Sequence, residues 1–163
     1  MIRHLTIAAT AAIATAAGSA SATEFVFYAH LSGANEVPGN LSPAIGFMAG
    51  VYDDVANSFD FNWNITNNLI GTPTSAHIHN APAGSNGPVV FGFASSGWGL
   101  TGSATWTGLS QAHIDALFDN DLYINFHTTA FPGGEIRGQI VPAPGALALA
   151  GVGLAFTVRR RRA

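Results

Sequence analysis

The sequence contains no cysteine, and this absence excludes several kinds of site. No disulfide can staple the fold, no thiolate can bind zinc, and no cysteine can act as a nucleophile. The folded part must therefore hold together by packing alone. Eleven phenylalanines, three tryptophans and three tyrosines supply bulky side chains for a core, and aromatic residues of this kind favour strands.

Lysine is absent too, and the basic residues are concentrated at the two ends. All six are arginines, with one near the start and four closing the chain, so that Arg137 is the only basic residue of the middle. The middle also holds all nine acidic residues, from Glu24 to Glu135. Such an acidic domain repels phosphate backbones, and we therefore expect no nucleic acid partner.

The first residues match the three parts of a secretory signal. A basic start is followed by an alanine-rich apolar run over residues 5–17, and Ala20 and Ala22 then form the A-x-A pattern that precedes cleavage. We expect cleavage between Ala22 and Thr23, which makes residues 1–22 a signal peptide and the mature chain a secreted protein. A buried helix of the domain is the alternative, but its small side chains would pack poorly.

Residues 142–163 have the features of a sorting tail. Pro142 and Pro144 precede an uncharged run at the lower limit of length for a helix that spans about 30 Å of hydrocarbon. The chain then closes with Arg159, Arg160, Arg161 and Arg162. Arginines in this position stay on the cytoplasmic side, so we expect a transmembrane helix with the preceding domain outside the membrane. A core helix would be the alternative, but four terminal charges fit it poorly.

This order of prolines, short apolar helix and arginine cluster resembles the PEP-CTERM sorting signal. The resemblance implies that the chain is an exosortase substrate, whose tail a membrane-embedded exosortase-type enzyme processes to release or attach the exported domain. One residue departs from the pattern, because Ala143 stands where the namesake signal has glutamate. The motif that the sorting enzyme would read is therefore altered.

Between the two ends, residues 23–141 predict a single all-β domain. Apolar and polar residues alternate in runs separated by Gly, Pro, Asn and Ser clusters, which is typical of an antiparallel β-sandwich. The predicted strands cover residues 24–31, 44–52, 58–66, 75–79, 89–93, 100–107, 122–128 and 135–141. One short helix is expected over residues 110–118, with Ser110 as its N-cap. Glu135 and Arg137 are predicted to form a same-face pair on the last strand.

Three histidines form the sharpest candidate site. Because residues i and i+2 of a strand share a face, His77 and His79 can converge on one ligand. His127 lies on another predicted strand, and three neutral imidazoles would make a metal site with an open position. The alternative is a structural role, in which the histidines bond to turn carbonyls or to one another. We expect the structural role and no cofactor, with zinc or copper as the alternative.

The middle of the chain resembles the CHRD domain, a module first described in chordin and widespread in bacterial exported proteins. Three stretches support the resemblance, namely LSGANEVP at 31–38, the segment 77–90, and 122–139 with His127-Thr128 and GEIRGQ. The resemblance implies an immunoglobulin-like or superoxide-dismutase-like β-sandwich without an established catalytic activity. A dismutase-like copper and zinc pair would need about six histidines and an aspartate, and we count only three plausible ligands.

We therefore expect an exported protein of the cell surface or extracellular space, with a non-enzymatic binding or structural role at the envelope. It would bind an extracellular ligand that the sequence does not identify. The alternative is a metal-binding envelope enzyme, similar to superoxide dismutase, that uses His77, His79 and His127.

Overall fold

The computed structural model describes residues 22–66, 69–95 and 97–144. These residues form nine strands, one α-helix and a short 3₁₀ turn at Gly33–Asn35. The strands are β1 (Glu24–Ser32), β2 (Ile45–Asp53), β3 (Ser58–Thr66), β4 (Pro73–Asn80), β5 (Val89–Ala94), β6 (Thr101–Thr107), β7 (Leu122–Thr128), β8 (Ile136–Gln139) and β9 (Val141–Pro142). The helix α1 covers Gln111–Phe118.

The strands form one antiparallel sheet in the order β5-β4-β7-β8-β1-β2-β3-β6, and β9 pairs with β1. β1, β2 and β3 pair along their whole length. The closing segment of the domain joins the two halves of the sheet, because β8 pairs with β7 on one side and with β1 on the other, and β9 also pairs with β1. Between them, Ile140 donates its backbone N–H to the carbonyl oxygen of Leu122 at 2.9 Å. The sheet is thereby folded over on itself and nearly closed.

Alternation along each strand decides which side chains enter the core. On β3, Phe59, Phe61 and Trp63 are buried, and the polar residues between them are exposed. β1 follows the same rule, with Phe27 and Leu31 fully buried. The pattern of period two is what the sequence predicts for strands with one apolar face.

Aromatic side chains fill the space between the two halves of the sheet. Phe61 of β3 meets Phe93 of β5 edge to face, with ring centroids 5.1 Å apart. Phe91 stacks on Trp106 of β6 at 5.1 Å, so the two strands at the ends of the sheet order meet across the core. Pairs of this kind are worth roughly 0.5–1.5 kcal/mol each beyond the area they bury. The resulting core supports the β-sandwich that the turn spacing predicts.

The helix α1 packs at one edge of this core. The hydroxyl of Ser110 accepts a hydrogen bond from the backbone N–H of His113, as an N-cap residue should. At the other end of the helix, Phe118 lies edge to face against Phe25 and Phe27, at 5.0 and 5.4 Å. Both the predicted helix and its predicted cap are therefore confirmed.

The predicted all-β class is confirmed, and the predicted strands begin and end within two residues of the observed ones. The last strand is the exception. Instead of running unbroken over 135–141, it divides at Ile140 into β8, which pairs with both β7 and β1, and β9, which pairs with β1. Only long-range pairing produces this break.

In the ranges 22–66, 69–95 and 97–144, no helix has both the length and the apolarity needed to cross a membrane. Residues 1–21 of the predicted signal peptide lie outside the described residues. So do the predicted transmembrane run and Arg159–Arg162 of the sorting tail. These assignments stay predictions.

Candidate functional site

β7 is buried on both of its faces, although only one of them is apolar. Leu122, Ile124 and Phe126 belong to the apolar core, and the residues between them point the other way. We call the side chains on this second face, together with their neighbours on β4 and β8, the buried polar layer. It consists of His77, His79, Tyr123, Asn125, His127 and Arg137.

Two loops cover the buried polar layer and are fixed by it. Glu36, after the 3₁₀ turn, accepts a hydrogen bond from the amide of Asn125 at 2.8 Å. In the loop between β4 and β5, Asn86 accepts a bond from Arg137 at 3.3 Å. Asn86 also donates to the carbonyl oxygen of Val37 at 2.8 Å, which joins the two loops to each other. Polar groups inside the domain thus hold segments that have no regular structure of their own.

The three histidines predicted as candidate ligands come together at one end of this layer. β4 pairs with β7, and this pairing brings His127 beside the two histidines of β4. One ring nitrogen from each residue can be chosen so that all three lie within 4.8 Å of one another. Nδ1 of His77 is 3.0 Å from Nε2 of His127. The structure therefore assembles the predicted cluster.

Backbone carbonyls orient two of the three rings. Nδ1 of His127 lies 2.9 Å from the carbonyl oxygen of Pro132. Nδ1 of His79 lies 3.0 Å from the carbonyl oxygen of Gly87. On the other side of the ring, Nε2 of His79 is buried and has no hydrogen-bond partner among the described residues. Such an orphan polar atom is rare inside a protein.

The environment favours neutral imidazoles in all three positions. Burial lowers the pKa of each ring below its ordinary value of 6.5. Neighbouring rings lower the pKa of His77 and His79 further, and the carbonyl bonds of His79 and His127 act in the opposite direction. At neutral pH the cluster therefore presents lone pairs rather than charge.

Arg137 is the largest of the fully buried side chains. Its guanidinium carbon lies 3.3 Å from the centroid of the Tyr123 ring, close enough for a cation–π contact. The ring of His79 stacks on Tyr123 at 4.7 Å. Because β7 lies between β4 and β8, the tyrosine ring separates the histidine from the arginine. Nη2 of Arg137 is buried without a hydrogen-bond partner within the described ranges.

Glu36, in the covering loop after the 3₁₀ turn, is only 8% exposed, and its charge acts on that of Arg137. Burial raises the pKa of Glu36 from 4.5 to about 7, although the charge of Arg137 and the backbone N–H of Val37 act to lower it. The desolvation of the carboxylate thus outweighs its attraction to the guanidinium. The pKa of Glu36 therefore lies well above that of an ordinary carboxyl group, although the charge of Arg137 opposes this shift.

Glu135 behaves in the opposite way. It precedes β8, after Gly134 in the left-handed region at φ 132°, and its carboxylate turns away from Arg137. It accepts bonds from the hydroxyls of Thr128 and Ser42, at 2.6 and 2.7 Å, and from the backbone N–H of Ile70 at 2.7 Å. Burial raises its pKa, but these bonds outweigh burial and lower it overall. The predicted Glu135–Arg137 pair is therefore wrong, because the carboxylate of Glu135 bonds to Thr128, Ser42 and the backbone at Ile70 instead.

A groove of about 500 Å³ opens beside the buried polar layer. Tyr28, His30 and Gln139 line it together with Glu36 and Arg137. It runs between the loop after β1 and the loop before β5. The buried arginine and glutamate therefore border a concave surface that a ligand can reach.

The other predicted site residues lie at the two ends of the chain. Ala22 and Thr23 are exposed directly before β1, with the Thr23 N–H bonded to Asp54 at 2.8 Å, and Ala20 lies outside the described residues. Pro142 is part of β9 and pairs with Phe27, and Pro144 follows as an exposed residue. The first proline of the predicted sorting signal is thus built into the folded domain.

Sequence reasoning missed Glu36, Tyr123 and Asn125 as members of the site. The alternation of β7 placed Tyr123 and Asn125 on one face with His127, and this signal was available. The burial of that face was not, since it depends on loops from distant parts of the chain. Glu36 stands in the LSGANEVP stretch at 31–38, which supports the family resemblance but assigns no role to the carboxylate.

Comparison with known proteins gives one match. The family model described as the CHRD domain matches residues 27–140, which include both covering loops and every member of the buried polar layer. No curated protein and no solved structure matches the chain. The immunoglobulin-like or superoxide-dismutase-like class of the sandwich therefore stays a prediction.

Proposed function

The chain belongs to the CHRD domain family, and from this membership we propose that it is an exported, non-enzymatic module that binds a ligand at the cell envelope or outside the cell. The family suggests a non-enzymatic extracellular or periplasmic domain. The acidic composition of the middle and the signal-like first 22 residues support export.

One observation carries the binding role, and it concerns how the polar side chains are used. His79, Asn125 and Arg137 are engaged with the two covering loops, and Glu135 fixes the backbone at Ile70. Because these polar side chains hold the two loops in place by hydrogen bonds, the surface that the loops form is rigid before a ligand binds. A rigid surface lowers the entropy cost of binding. The groove beside Arg137 is the concave part of that surface.

We further propose that the tail sorts the protein. The Pro-x-Pro start, the apolar run and the four arginines support recognition by an exosortase-type enzyme, with the membrane as a second partner through the apolar run. The folded domain continues to Ala143, whose N–H donates to Val26 at 2.9 Å. A sorting enzyme would therefore act close to the end of β9.

Export can be tested by mass spectrometry of the protein recovered from its own cells. We expect a mature N-terminus at Thr23, and a variant with Ala20 and Ala22 both changed to leucine should retain the signal. A protein that keeps Met1 and stays in the cytoplasm would contradict the proposal.

The tail is tested by changing Arg159 to Arg162 to glutamine and following membrane fractionation and C-terminal processing. Loss of the cytoplasmic charges should impair retention or sorting. The matched control changes the same four arginines to lysine, which keeps the positive charge at each position. An unchanged location and an unchanged C-terminus in the four-residue variant would show that the tail is no sorting signal.

A further inference from the structure

We propose that His77, His79 and His127 bind one divalent transition metal ion of the class that prefers imidazole ligands, such as zinc(II) or copper(II). The site would be separate from the groove beside Arg137 and independent of export. The proposal rests on the positions of the ring nitrogens and on the hydrogen bonds that orient them.

The hydrogen bonds decide which nitrogens carry protons in two of the rings. A carbonyl oxygen only accepts hydrogen bonds, so Nδ1 of His79 donates to Gly87 and Nδ1 of His127 donates to Pro132. In the neutral rings, Nε2 of each residue is then a bare lone pair. A histidine that gives its other N–H to a backbone carbonyl is the arrangement found around bound metals, where it fixes the tautomer and the ring orientation.

The third histidine completes the set. Since Nε2 of His127 is an acceptor, Nδ1 of His77 must donate to it, and the two nitrogens share one proton at 3.0 Å. Two nitrogens bound to one tetrahedral ion at about 2.0–2.1 Å would be about 3.4 Å apart. An ion can therefore replace the shared proton with little movement. His77 then binds through Nδ1 and holds its proton on Nε2, so the neutral rings release none.

An unpartnered ring nitrogen favours metal binding over a purely structural role. If the histidines served only to hold loops, each buried ring nitrogen should have a protein partner. Nε2 of His79 is buried and has none within the described part of the chain. One ring nitrogen of His79 lies within 4.8 Å of a ring nitrogen of each of the other two histidines, and closing such a group to a tetrahedral spacing shortens each distance by at most about 1.4 Å.

The burial of the three rings indicates which of them can move toward an ion: the two rings on β4 have room to shift, whereas the ring on β7 does not. His77 and His79 are half-buried, whereas His127 is only 9% exposed. The stack of His79 on Tyr123 keeps its ring plane fixed while the ring turns toward the ion. Three protein ligands would leave a fourth position for water or for a ligand supplied by a partner.

The test uses the full chain, purified without an affinity tag, stripped with a chelator and titrated with zinc chloride or copper sulfate by calorimetry. We expect one ion per chain. His77→Gln, His79→Gln and His127→Gln should each weaken metal binding by more than about 100-fold. Mutation of a residue that only hydrogen-bonds to a metal ligand typically weakens binding by about 10–100-fold. Glutamine keeps a hydrogen-bonding group in each position, and unfolding curves recorded in chelator check that the variants fold.

His113→Gln is the matched control, since His113 lies on α1 and outside the cluster. This variant should bind the metal as the unaltered chain does. Copper(II) bound to the unaltered chain should show nitrogen hyperfine coupling in its electron paramagnetic resonance spectrum, and His79→Gln should lose that signal. The proposal is overturned if the unaltered chain binds no stoichiometric metal, or if binding survives in the three cluster variants.

This result is separable from the function proposed above. Metal binding without dismutation of superoxide would support both proposals. Dismutation by the metal-loaded chain would support the metal site and contradict the non-enzymatic function. Failure of metal binding would leave export and sorting untouched.

Discussion

Replacing Glu36 by glutamine should stabilise the folded domain at pH 8, although it removes a carboxylate whose charge acts on that of the buried Arg137. The pKa of Glu36 is about 7 in the folded chain against an ordinary value of 4.5. The folded state therefore holds this proton more tightly than the unfolded state, and the contribution of Glu36 to the unfolding free energy falls as pH rises from 4.5 to 7. A difference of about 2.5 pKa units corresponds to about 3 kcal/mol.

Two effects compete in the variant, and their magnitudes decide the sign. Removing one partner of a buried ion pair commonly costs about 3–5 kcal/mol, because the other charge is left unpaired. Here Arg137 keeps the ring of Tyr123 at 3.3 Å and the amide oxygen of Asn86 at 3.3 Å. The Asn125 amide can still donate to the glutamine oxygen. Relief of carboxylate desolvation, which dominates the raised pKa, should therefore prevail.

The assay is urea unfolding at several pH values. At pH 8 the unfolding free energy of Glu36→Gln should exceed that of the unaltered chain by about 3 kcal/mol. The gap should shrink as pH falls through 7 and nearly vanish below 4.5. Changes shared by both chains, including histidine titration, cancel in the difference. Glu24→Gln is the control, because Glu24 is exposed and its removal should stay within about 0.5 kcal/mol.

Glu135→Gln should change the unfolding free energy of the same domain in the opposite direction. The carboxylate of Glu135 accepts several buried hydrogen bonds. A glutamine in its place would turn an NH₂ group toward at least one of these donors, and that hydrogen bond would be lost. We expect a loss of about 1.5–3 kcal/mol at pH 8. The reasoning is refuted if Glu36→Gln is as destabilising as Glu135→Gln, since Glu36 would then act as the ionised partner of Arg137.

Further predictions concern other parts of the domain and can be checked by thermal or urea unfolding. Gly134→Ala should cost roughly 1–3 kcal/mol, because φ is 132° and the added Cβ would overlap Glu36 and Asn125. Ser110→Ala should cost about 1 kcal/mol through the lost cap of α1, with Ser95→Ala as an exposed control. In the Glu36→Gln variant, which lacks the opposing titration of Glu36, stability should fall as pH drops below 6.5, because the three cluster histidines have lowered pKa values and the unfolded chain takes up protons first. Adding His127→Gln to that variant should reduce this slope.

Much of the fold follows from local pattern. The alternation in β3, where Phe59, Phe61 and Trp63 are separated by polar residues, predicted both the strand and its buried face. The helix at Gln111–Phe118 followed from its apolar spacing and from Ser110. Such features depend on neighbours within a few positions, so a single sequence contains the information.

The site divides along the same line. By itself the sequence determined that His77 and His79 share a face, because a strand has period two. Only the pairing of β4 with β7 brought His127 to them, and only the loops around Glu36 and Gly87 buried the face on which they lie. Strand pairing and the covering loops bring together residues that are far apart in sequence. The periodic pattern within one segment does not reveal such contacts. The raised pKa of Glu36 and the orphan nitrogen of His79 exist for the same reason, since burial is a property of the assembled domain.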